Sequence, residues 1–115
     1  MDTLKVKEPI SINEIIEAIR SGYDFDDDLC LYASEEVDQI KTEIICYLDD
    51  YPEVINDEDQ YSEFINKHHL HLLYYGEQFK DVMLNVLHQR QHASSDEIIK
   101  ALNYYMENDD FLDLK

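Results

Sequence analysis

Asp24, Asp26, Asp28 and Glu35 fall at positions 1, 3, 5 and 12 of a calcium-loop template, with Leu31 at its apolar position. Such a loop needs glycine for its sharp turn, and this chain has Leu29 there, so a solvated acidic loop without a bound ion is expected. Five histidines offer a second chemistry. His69 and His71 would share one face of an extended strand, while His88 and His92 lie one turn apart on a helix; four imidazoles would converge if those elements packed together. Neither pair is supported by a neighbouring cysteine or an HExxH pattern, so solvated or hydrogen-bonded histidines are expected, with a histidine-dependent metalloenzyme as the weakest reading. Cys30 and Cys46 have no CxxC spacing and are expected to be buried free thiols packed as small apolar side chains. No nucleophile, base and orienter form a pattern, and GxGxxG, P-loop and GxSxG sequences are absent. The expectation is a protein that is not an enzyme and carries no cofactor and no metal.

What the residue types do support is a charged surface. The chain has 27 Asp and Glu against 9 Lys and Arg, a net −18, and between Ser21 and Gln60 there are 14 acidic residues and one basic, Lys41. Repulsion at that density opposes compaction, and its field attracts basic partners and repels phosphates. Direct nucleic-acid binding is therefore not expected; a basic protein is. Tyr23, Tyr32, Tyr47, Tyr51 and Tyr61 are interleaved with these carboxylates, a composition suited to meeting Arg and Lys, although each ring taken singly is better explained by packing at the core edge.

The elements that would carry this surface are legible in part. Leu, Ile, Val and Phe make up 33 of the 115 residues, enough for one folded domain, residues 1–115, with a modest core. With only 2 Gly and 2 Pro, helices with a few strands are favoured over a turn-rich barrel. Ser11 and Glu14 form a capping-box pattern ahead of Ile12, Ile15, Ile16 and Ile19, and Gly22 offers the stop. An acidic loop, Tyr23 to Asp28, leads to a strand over Leu29 to Ala33. Ser34 to Leu48 fits either a helix or a loop entering a strand, and the reading favours a loop or short helix followed by a strand. Asp49 to Gln60 reads as an exposed connection, Tyr61 to Lys67 as a short helix and Leu70 to Tyr75 as a strand. Phe79, Val82, Val86 and Leu87, then Ile98, Ala101, Leu102 and Tyr105 behind a Ser94/Glu97 capping box, give a helical pair covering one sheet face. The fold expected is α+β, helices packed on a short two- or three-stranded sheet. Met1 to Arg20 lacks the apolar run of a signal peptide or membrane span, so a cytoplasmic protein with no membrane partner is expected.

The runs YGEQFKDVMLNVLHQ (Tyr75 to Gln89) and SSDEIIKALNYYMENDDFLDL (Ser94 to Leu114) contain an AxNYYxxNDxF ending. This part resembles small bacterial immunity proteins of contact-dependent growth inhibition and related polymorphic toxin systems. The resemblance implies a one-to-one complex with a cognate toxin domain, a nuclease with a basic substrate channel, neutralised by occlusion. Charge then selects the surface expected to do so: Asp24, Asp26, Asp27, Asp28, Glu35, Glu36, Asp49, Asp50, Asp57, Glu58 and Asp59, with Tyr23 and Tyr51 as aromatic anchors. The alternative is a nucleic-acid mimic that inhibits a restriction or CRISPR effector, with carboxylates spaced like phosphates along an elongated face.

Overall fold

The computed structural model describes residues 4–41 and 43–114. Strand β1 (Ile10–Ser11) runs directly into α1 (Ile12–Arg20), whose N-terminus is capped by the Ser11 hydroxyl accepting the Glu14 N–H at 3.1 Å. Its Ile12, Ile15, Ile16 and Ile19 stripe is buried, and Gly22, at φ +100°, turns the chain out of the helix. Strands β2 (Leu29–Ser34) and β3 (Ile45–Asp50) follow. A short hairpin of β4 (Glu53–Ile55) and β5 (Glu58–Gln60) precedes α2 (Glu63–Lys67), β6 (Leu70–Tyr74), α3 (Gly76–Gln89) and α4 (Ser95–Asn108).

The main sheet has four strands in the order β1-β3-β2-β6, every neighbouring pair antiparallel. The architecture is α+β as expected, but the main sheet has one more strand than the sequence reading allowed, and β4 and β5 add a separate two-stranded sheet. The extra strand is β1, and two residues carry no periodicity that a sequence could display. Alternation along β2 assigns the two faces: Leu31 and Ala33 enter the large core beneath α1, α3 and α4, whereas Cys30 and Tyr32 point to the opposite face, beneath α2. Within the ambiguous stretch, the described residues 35–41 and 43–44 form an irregular loop ahead of β3. That loop is pinned to α4 because the Asn103 carboxamide accepts from Ile40 N at 2.8 Å and donates to Ile40 O at 2.9 Å.

Two local features position the end of the sheet where β2 begins. A Cβ on Gly76 would stand 1.6 Å from the Leu29 carbonyl oxygen, so only glycine lets α3 begin against the start of β2. A register shift at Leu31/Tyr32 leaves Leu73 between the Tyr32–Leu72 and Leu31–Tyr74 pairs, a bulge that lets Leu73 and Tyr74 both enter the large core. Tyr74 is fixed there by its hydroxyl donating to Leu102 O at 3.0 Å. Both cysteines are buried free thiols, and burial pushes Cys46 up to about 12. No helix among the described residues is long and apolar enough to cross a membrane.

Candidate functional site

Antiparallel pairing of Leu29 with Asp50 places the end of β3 beside the start of β2. The acidic loop before β2 and the hairpin after β3 therefore meet at one end of the sheet. Within that loop Asp26 Oδ1 accepts the Asp28 N–H at 3.0 Å, and Asp24 pairs with Lys80 of α3 at 3.1 Å. Asp26, Asp27 and Asp28 are all exposed and bring their carboxylates within 4.8 Å of one another. Glu35 follows the far end of β2, where Ser34 pairs with Leu70, roughly 17 Å along the strand from Leu29. The calcium-template residues are thus split between two ends, and Glu35 and Glu36 do not belong to the same surface as Asp26 to Asp28.

The tyrosines converge at the first end. Tyr51 stacks on Tyr75, with ring centroids 5.7 Å apart at 24°, and its hydroxyl accepts the Glu77 N–H at 3.0 Å. Tyr61 meets Tyr32 edge-on at 6.1 Å, and the Tyr32 hydroxyl donates to Asp50 O at 2.6 Å. Asp50, Tyr51, Glu53, Gln60, Tyr61 and Ser62 line an open cleft of about 250 Å³ at the hairpin base. Burial raises the Tyr51 phenol above its ordinary value, against the Glu77 N–H that lowers it, and nearby carboxylates including Asp27 add to the rise. Tyr61 is raised by burial first and by Asp59 second. Both phenols stay protonated at neutral pH and offer O–H donors beside carboxylate acceptors. Rings and carboxylates in one cleft suit a guanidinium or ammonium group.

The hairpin carries the remaining expected residues. Asn56 and Asp57, at φ 54° and 66°, form a two-residue turn of the kind that matches strand twist, and every residue of β4 and β5 is exposed. Asp57, Glu58 and Asp59 stand on it beside Val54, which is 70% exposed. What reads in sequence as a connection is a projecting arm.

Asp49 has to be removed from the expected surface. It is 0% exposed, because its register opposite Cys30 turns it under α2. There it accepts from the Ser62 hydroxyl at 2.6 Å and from Asp50 N at 2.8 Å, and lies 3.2 Å from Lys7 Nζ. Ser62 in turn caps α2 by accepting the Ile65 N–H, so Asp49 holds a helix to the sheet. Tyr23 is half-buried like Tyr51 and Tyr61, but it packs against the large core and so does not join their cluster over the small one. In its place the geometry adds Tyr61, Tyr75 and Glu53. Tyr61 was visible among the interleaved tyrosines, but Tyr75 belongs to a distant segment and only the β2–β6 pairing brings it in.

The histidine pairs do not form. His69 sits at φ 53° in the turn before β6, and α3 ends at Gln89, before His92. Among the described residues the cluster of three possible metal ligands is the exposed Asp26, Asp27 and Asp28, and no histidine joins it.

No curated protein and no solved structure matches the chain. A family model described as a domain of unknown function (DUF7716) matches residues 9–114, nearly the whole of the described fold, and the chain belongs to that family.

Proposed function

We propose that this protein is an immunity-type inhibitor that binds a basic toxin domain one-to-one and neutralises it by covering its substrate-binding surface, without chemistry on the toxin. The observation that carries this reading is the convergence of Asp26, Asp27, Asp28, Asp50 and the hairpin carboxylates with Tyr51, Tyr61 and Tyr75 at one end of the sheet. Carboxylates of that density steer a basic partner, and partly buried rings supply the desolvated contacts that hold it. A toxin whose substrate is RNA, such as a tRNA-cleaving nuclease, has the basic channel this surface suits. Nucleic acid itself is repelled by the same field, and the protein acts in the cytoplasm, where such a toxin would work.

The nucleic-acid mimic is the less favoured reading, because Glu35 and Glu36 lie at the other end of β2 instead of extending a line of charges. Co-expression with the product of the adjacent gene tests the proposal. Recovery of a stable equimolar complex, with toxicity abolished, is the expected result. Reversing Asp26, Asp27 and Asp28 to Lys should weaken it far more than reversing Asp109, Asp110 and Asp113. Equal losses from the two triple variants, or an association rate that does not fall as salt rises above about 0.1 M, would remove the proposed surface.

A further inference from the structure

The two edges of the main sheet are finished differently. The outer edge of β3 is occupied by β1 and by a parallel bridge from Val6 to Leu48. On the other side, β6 pairs with β2 alone, and among the described residues no strand lies against its outer edge. The strand Leu70–Tyr74 thus has outward N–H and C=O groups in alternation; Leu70, His71 and Leu72 are half-exposed, while Leu73 and Tyr74 are buried in the large core. Two common protections are missing, since β6 contains no lysine and no proline, and its bulge at Leu73 leaves the Leu70–Leu72 half of the edge regular.

Beside this edge runs a groove of about 270 Å³ whose walls include Leu72, Tyr74, Gln78, Tyr105, Met106 and Asp109. Met106 is 40% exposed at its rim. Among the described residues after Asp109, Phe111 packs its ring 5.3 Å from that of Tyr105, and none lines the groove. A left-handed Asp109 turns the chain back toward α3, where Gln89 holds it by donating to Leu112 O at 2.9 Å and accepting from Leu114 N at 2.8 Å.

We infer that the β6 edge is a strand-addition site for an extended basic segment of another protein. Main-chain pairing with β6 would supply affinity, and alternate side chains would enter the groove beside Tyr105 and Met106. Charge selects the occupant. No lining residue is basic and Asp109 stands among them, while a second copy of the chain would bring another −18 against this one. The site shares with the proposed function only the premise of a basic partner, and its test needs no toxin.

The probe is a short acetylated peptide alternating lysine and valine, added to the full-length protein while backbone amide exchange is followed by NMR. The expected result is slowed exchange at the outward-facing amides of β6, with the amides already paired to β2 unchanged. The same peptide N-methylated along its pairing edge keeps its charge and side chains, and should bind about tenfold more weakly or worse. Met106→Lys should also weaken binding, and Asp26/Asp27/Asp28→Lys should leave the β6 protection in place. Failure of the unmodified peptide to bind, equal binding of the N-methylated peptide, or loss of β6 protection in the triple variant would each overturn the site.

Discussion

The two faces of the main sheet differ in what covers them. One carries α1, α3 and α4 over a continuous layer of aliphatic side chains with Phe25 and Phe79. Among the described residues the other carries only α2, over Cys30, Tyr32 and Ile65, and its margin is made of half-buried aromatics that include Tyr47, Tyr51, Tyr61 and Phe64. A thick apolar layer stabilises by removing area from water, whereas rings left half in solvent contribute less to folding and remain available to a partner. The recognition surface proposed above would then lie at the margin of the thin face, away from the layer that stabilises the fold, and variants should separate the two.

The sharpest test contrasts one ring from each face. Phe79→Ala, at a fully buried position touching Phe25 and Tyr74, should cost about 3–5 kcal/mol by chemical denaturation. Tyr61→Ala, whose main ring contact is edge-on to Tyr32, should cost about 1 kcal/mol. Equal costs would mean that the thin face is as structural as the thick one.

Gly76→Ala probes the crossing between them. The added methyl meets the Leu29 carbonyl, a backbone group that cannot swing aside, so a loss of about 3 kcal/mol is expected, as in severe overpacking. Because β2 starts there, the variant should also shift the Asp26 to Asp28 amide resonances; a silent spectrum would show that this loop is not positioned by α3.

A smaller effect is expected from Asn103→Ala, which leaves both polar groups of the Ile40 backbone without their partner and should cost about 2 kcal/mol. Asn103→Asp should not rescue it, since a carboxylate accepts from Ile40 N but cannot donate to Ile40 O. Rescue by aspartate would show that only the N–H bond matters.

The smallest change is pH-dependent. The Ser94 backbone N–H, with Arg90 beside it, holds the Glu97 carboxyl below its usual range. A depressed folded-state pKa contributes stability that is fully present above the ordinary glutamate value of about 4.3 and is lost as pH falls through the lower folded value. Melting curves of wild type and Glu97→Gln should therefore differ at neutral pH and converge on acidification. A gap that widens in acid would reverse the assigned sign.

Much of the scaffold was legible locally. The Ser11 and Ser94 caps, the isoleucine stripe of α1, and the strands at Leu29 and Leu70 depend on side chains within a turn or two of one another, and those spacings are written in the chain. The candidate site was legible only as composition. Acidic residues and tyrosines were visible between Ser21 and Gln60, but not which of them share a surface.

Sequence alone determined the charge, the helix positions and the α+β class, because these follow from residue type and short-range periodicity. Tertiary structure alone decided that Asp49 is buried while Asp50 is exposed, that Glu35 lies at the opposite end of the strand from Asp28, and that Tyr75 stacks on Tyr51. Each of these depends on strand register between segments far apart in the chain. A shift of one residue in pairing exchanges the two faces of a strand, and nothing in the local sequence records which register the distant partner will adopt.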